Sequence, residues 1–124
     1  MSVEPNEARL LTEIGFLAAA RGDARRAQRI FEALERVRPE SAAVYVGLAS
    51  AQMNHGSAND AVLTLDRGLL RVNDQDAPVL HTFRALALQL AGRGSEHVRA
   101  LRLAGGFPLA KAMLGESATV LEGK

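Results

Sequence analysis

Residues 8–39 read ARLLTEIGFLAAARGDARRAQRIFEALERVRP, and residues 42–73 read AAVYVGLASAQMNHGSANDAVLTLDRGLLRVN. At an offset of 34 residues, Leu11, Ile14, Gly15, Ala18, Gly22, Ala27, Phe31 and Pro39 fall on Tyr45, Leu48, Ala49, Gln52, Gly56, Ala61, Leu65 and Asn73. Five or six of these eight pairs agree in type. Within each stretch the apolar residues step by three and four, the spacing of one helical face. A glycine interrupts each stretch near its middle, where a left-handed residue ends a helix most readily. Each unit is therefore a pair of helices joined by a tight turn.

Working outward, the first helix is expected over Glu7–Ala20, after a flexible lead-in of residues 1–6. Pro5 and Asn6 suit a helix opening. Gly22 is the expected terminator and Asp23 the cap of the next helix, Ala24–Val37, which Pro39 closes. Ala42–Asn54 and Asn59–Val72 form the second pair, around His55-Gly56-Ser57. Asn73 to Asp76 is a polar loop. A fifth helix is expected over Pro78–Ala91, broken by Gly92 and Gly94, with Ser95 capping a sixth over Glu96–Leu103. Pro108 opens a seventh, a capping helix over about 108–121. The third pair, about 78–104, is degenerate. Placing Phe83, Leu86, Ala87, Leu90 and Gly94 at the first-helix positions needs four extra residues near Asp76 to Val79. Arg99 then falls where the other units have alanine. The chain reads as one all-α domain over 7–122, with units at 8–41 and 42–75.

The 124 residues carry 15 basic and 14 acidic side chains, a net charge of +1, with no cysteine and 48% hydrophobic residues. That composition is ordinary for a globular domain. The missing cysteines exclude a disulfide framework and a cysteine zinc site. Near-neutral charge gives no electrostatic ground for nucleic acid or an anionic membrane. A membrane-spanning helix needs about 20 apolar residues in a row, and the run Gly15 to Ala20 is too short. The polar opening Met1 to Glu7 is no secretory signal, so the expected compartment is the cytoplasm.

Catalytic and cofactor readings find no support. His55, His81 and His97 lie in different elements, without His-x3-His or His-Glu-x-x-His spacing. Neither Gly-x-Ser-x-Gly nor a phosphate loop occurs. Asn73-Asp74-Gln75-Asp76 lacks the glycine and distal glutamate of a calcium loop. Arg21, Arg25, Arg26 and Arg29 read as a solvated face paired with Asp23, Glu32 or Glu35 rather than a phosphate stripe. No catalytic residue, metal or cofactor is expected.

The period and its signature residues resemble the tetratricopeptide repeat. That resemblance implies a right-handed superhelix of helix-turn-helix pairs with a C-terminal capping helix. It also implies that the first helix of each pair lines a concave groove. The groove positions fall on Arg9, Thr12, Phe16, Ala19 and Ala20, then on Ala43, Val46, Ser50, Met53 and Asn54. In the register above the third unit offers His81, Arg84, Leu88, Ala91 and Gly92. The centre of this groove (Phe16, Val46, Met53, Leu88) is apolar. Family members that grip a carboxylate terminus need lysine and asparagine where this chain has Thr12, Phe16 and Gly47, which argues against that mode.

Residues 22–34 and the stretch Tyr45 to Ala51, with Gly56 and Asp60-Ala61-Val62, are similar to bacterial type III secretion translocator chaperones. The resemblance implies a non-enzymatic cytoplasmic protein that holds an apolar helix or extended segment of a secreted subunit. Those relatives carry a longer N-terminal arm used for dimerisation, and only about seven residues precede the first helix here. That build is closer to the needle-subunit chaperones, which often act with a small co-chaperone. A generic scaffold for complex assembly and a regulatory subunit of an enzyme are the alternatives.

Overall fold

A computed structural model describes residues 4–105. Its described residues form six α-helices in sequence: α1 (Pro5–Ala20), α2 (Ala24–Val37), α3 (Ala42–Asn54), α4 (Ala58–Leu69), α5 (Ala77–Leu90) and α6 (Gly94–Leu103). Each helix packs on the next, and α3 also touches α1 and α5. The first helices of the pairs thus form one continuous layer. The expected capping helix over 108–121 lies outside the described residues.

The turns show why the pairs form. Gly22, Gly56 and Gly92 take φ of 82°, 81° and 76°, values that favour a residue without Cβ. In each turn the amide after the glycine donates to a carbonyl five residues back: Asp23 to Ala18 at 2.9 Å, Ser57 to Gln52 at 2.8 Å, Arg93 to Leu88 at 2.8 Å. Otherwise unpaired carbonyls at the helix ends are satisfied this way. Asp23 caps α2 as expected, accepting from the Arg26 amide at 3.2 Å.

These three turns correct the register of the third pair. The left-handed glycine is Gly92, not Gly94, so the insertion before α5 is two residues and not four. Ala85, Leu88, His97, Leu101 and Ala104 then stand in the places of Ala49, Gln52, Ala61, Leu65 and Gly68. His97 replaces the alanine, and its Nδ1 lies 2.7 Å from the Ala85 carbonyl oxygen. Gly94 opens α6, which leaves Ser95 inside the helix. The longer loop is closed by Asn73, whose side chain accepts from the Asp76 amide at 3.0 Å. Helix α4 stops at Leu69, three residues before its expected end, in a tightened turn where the Arg71 amide reaches the Gly68 carbonyl at 2.9 Å. At the other end α1 opens at Pro5, inside the expected flexible lead-in. Proline suits a first turn, and the Ala8 amide donates to the Glu4 carbonyl at 2.9 Å.

The core has two joined parts. One gathers Ala18, Ala27, Phe31, Leu34, Val44 and Leu48 between α1, α2 and α3. The other gathers Tyr45, Ala61, Leu65, Leu80, Leu88 and Leu101 from α3 onward. Phe31 is fully buried. A Cβ on Gly15 would stand 2.8 Å from its ring, and a Cβ on Gly47 would overlap it. Gly68 gives the Tyr45 ring the same room, since a Cβ there would sit 2.6 Å from it. The Tyr45 hydroxyl donates to the Pro39 carbonyl at 2.6 Å, tying α3 to the turn before it.

One buried polar pair crosses α3 and α4. Thr64 Oγ1 donates to Gln52 Oε1 at 2.6 Å, where the other units carry the apolar residues Ala18 and Leu88. Thr64→Val is expected to strand that oxygen and cost about 1–3 kcal/mol. Adding Gln52→Leu is expected to recover most of the loss, since both polar partners are then gone. Urea unfolding of the two singles and the double checks this; additive losses would show no coupling. Gly47→Ala is expected to destabilise by about 1–3 kcal/mol through the Phe31 clash. Gly94→Ala, with open space around it, is expected to be neutral or better in the same assay.

Candidate protein-binding groove

The layer formed by α1, α3 and α5 carries the residues singled out for binding. On α1, Phe16 is 38% exposed. Its ring meets Phe31 edge-on, with centroids 4.9 Å apart and planes at 67°. Such pairs hold an orientation as well as area. The helical periodicity that buries Gly15 and Ala18 therefore leaves Phe16 resting on the core with one face open. Thr12 is half-buried, and its hydroxyl donates back to the Ala8 carbonyl at 2.8 Å. Ala19 is half-buried and Ala20 exposed. Arg9 is exposed and pairs with Glu13 at 3.4 Å.

On α3, Val46, Ser50 and Met53 are half-buried at spacings of four and three, a single stripe of the helix. Val46 and Met53 lean on the second core cluster. Ala43 and Asn54 are exposed at the two ends of this stripe. Ten of the expected positions thus lie on α1 and α3.

Of the third unit's expected positions, Arg84 and Leu88 do not join this surface. Leu88 is fully buried within the core. Arg84 is turned to α4, where its Nε donates to Asp66 Oδ1 at 2.7 Å. Both errors follow from the two-residue slip in register. With Gly92 as the anchor, the α5 positions matching Val46, Ser50, Met53 and Asn54 are Thr82, Leu86, Gln89 and Leu90. Leu86 is half-buried and Leu90 is 59% exposed. The spacing of Gly92 from Gly56 was the signal that could have found them. Thr82 is buried, its hydroxyl donating to the Pro78 carbonyl at 2.9 Å.

The surface is an apolar strip of Phe16, Val46, Met53 and Leu86 with a small hydroxyl, Ser50, in its floor. Arg9, Asn54 and Gln89 stand at its margin. Among the described residues no three His, Asp or Glu side chains converge to hold a metal, and no helix is long and apolar enough to cross a membrane. The strip can exclude water from an apolar chain; it has no titrating pair placed for proton transfer.

A tetratricopeptide repeat family profile matches residues 18–87. The chain belongs to that family. No curated protein sequence matches it significantly. Among solved structures it is similar to the type III secretion translocator chaperone SycD of Yersinia enterocolitica, at 20% identity and TM-score 0.80, covering 98% of this chain and 92% of that one. It is also similar to PcrH of Pseudomonas aeruginosa. PcrH in complex with the chaperone binding region of PopD matches at 21% identity and TM-score 0.79, over 98% and 92% of the two chains. PcrH in complex with the chaperone binding region of PopB matches at 20% identity and TM-score 0.78, over 94% and 96%.

Beside the groove, His81 occupies the α5 position that Tyr45 occupies on α3. Its Nδ1 is buried without a hydrogen-bond partner. Burial and then the Arg84 charge push its pKa below the usual imidazole value, with Asp66 opposing. The unfolded chain therefore binds this proton more readily than the folded one, so stability falls as pH drops below about 6.5. His81→Leu is expected to raise the urea midpoint, and to raise it more at pH 5.5 than at pH 7.5. An advantage that does not grow on acidification would contradict this.

Proposed function

We propose that this protein is a non-enzymatic cytoplasmic chaperone of a type III secretion system. It holds an apolar helix or extended segment of a secreted translocator subunit across the α1–α3–α5 layer. The observation that carries this reading is the likeness over nearly the whole chain to translocator chaperones, one of which, PcrH, is solved in two structures with a chaperone binding region in place. The apolar strip supports it, since Phe16, Val46, Met53 and Leu86 offer a partner's side chains a dry surface over a small-residue floor. Spanning 92% to 96% of those chains favours the translocator type over the needle-subunit type.

The mechanism is concealment. A segment that would aggregate buries its apolar side chains on the strip, and an ordinary interface of about 800 Å² per partner suffices. Met53, with its flexible thioether, adapts to different side chains. Arg9, Asn54 and Gln89 keep the rim wet and can meet the segment's backbone.

Ser50→Glu places a charge in the floor without removing a core side chain, and Phe16→Glu places one on the strip. Both are expected to abolish one-to-one co-purification of a small secreted subunit, read by mass spectrometry, while far-UV helicity persists. Retention of that subunit by both folded variants would sink the groove reading. A large folded assembly retained by both would point to a scaffold instead.

A further inference from the structure

The second helices of the pairs carry a feature that holding a segment in the groove does not use. Between α2 and α4 lies an open recess of about 570 Å³, walled by Arg29, Glu32, Glu35, Arg36, Arg67 and Arg71. At one end it shares Arg29 and Glu32 with a recess reaching Arg25 and His55. At the other it shares Glu35, Arg36 and Arg71 with one reaching Pro39 and Glu40. The three form one track along α2. From Arg25 to Arg36 is about 16 Å of helix, the reach of about five residues of extended chain.

Five arginines and three glutamates wall this track. One glutamate is spent internally. Glu35 accepts from Arg67 through both oxygens at 2.9 Å, and from Arg71 at 3.3 Å. The Glu35 side chain is only 14% exposed, whereas those of Arg67 and Arg71 are 43% and 48% exposed. One sunken carboxylate thus holds two guanidinium groups in place with donors still facing water. Such pre-ordering lowers the entropy lost on binding. Arg25, Arg29 and Arg36 are exposed and form no ion pair among the described residues. Glu32 accepts from Gln28 at 3.5 Å, and its charge also bears on Arg67.

We infer that this track is a docking surface for a short acidic stretch of a partner polypeptide, bound extended along α2. Guanidinium groups pair with carboxylates two bonds at a time. The interleaved Glu32 and Glu40 disfavour a continuous phosphodiester chain, and no Phe, Tyr or Trp side chain lines the track for base stacking. Because the track lies on α2 and α4, and the groove on α1, α3 and α5, an acidic partner and an apolar cargo can be held together.

The test is fluorescence anisotropy with the full chain and a labelled peptide of alternating Glu and Ala, about ten residues long. Saturable binding is expected at low salt, weakening as salt screens the charges. Arg29→Glu combined with Arg36→Glu is expected to weaken it at least tenfold. Both side chains are exposed and unpaired, so the fold should survive, which circular dichroism verifies. Glu32→Gln is expected to tighten binding several-fold, a gain that no folding defect can produce. Ser50→Glu and Phe16→Glu are expected to bind the probe as the parent does, which separates this surface from the groove. No saturable binding at low salt, unchanged affinity in the double variant, or equal affinity for a labelled oligothymidylate of matched charge would each overturn the proposal.

Discussion

The stack depends on one aromatic ring seated between two backbones. Phe31 reaches from α2 against Gly15 of α1 and Gly47 of α3. Both neighbours lack a Cβ at the point of contact, so three helices close on a single side chain. Interiors at crystal-like density leave no slack there. From that ring the rest follows outward. Phe16 rests on its edge, and Leu34, Val44 and Leu48 fill the space around it. A second aromatic ring has a slot of its own, Tyr45 of α3 sitting over Gly68 of α4.

Stacking by repetition leaves an end. Leu10 and Leu17 of α1 are 56% and 51% exposed, whereas Val44 and Ala51, their counterparts one unit on, are covered by the preceding pair and buried. The periodicity that makes these positions apolar is the same in both units. Among the described residues only the presence of a neighbour differs, as expected where each unit contacts mainly the next. The apolar strip on α1, α3 and α5 has another origin. It lies on the side that no described helix of the stack covers, which suits it to a partner.

Polar groups enter this apolar scaffold in few places. Gln52 and Thr64 satisfy each other, and His97 lies within hydrogen-bond distance of a backbone carbonyl from a site where the other units have alanine. His81 is the exception, with Nδ1 buried and unpartnered. The degenerate third unit therefore differs by substitution of its parts rather than by loss of the fold. Its turn at Gly92 keeps the geometry of Gly22 and Gly56.

The sequence by itself determined the helix pairs, because the signals are local. Glycine at φ near 80°, Asp23 as a cap and apolar steps of three and four act within a turn or two of chain. The bounds of α2 and α3 were legible for that reason, as were Phe16, Val46, Ser50 and Met53 as strip residues. Tertiary structure decided the third unit's register, choosing Gly92 over Gly94 as the left-handed terminator. Taking the terminator two residues late turns the assigned face of α5 by about 200° at 100° per residue; tertiary structure puts Leu88 in the core and Leu86 toward the strip. It alone also revealed the slots at Gly47 and Gly68 and the arginine track held by Glu35. These join residues from 16 to 36 positions apart, and only packing, not periodicity, brings them within contact.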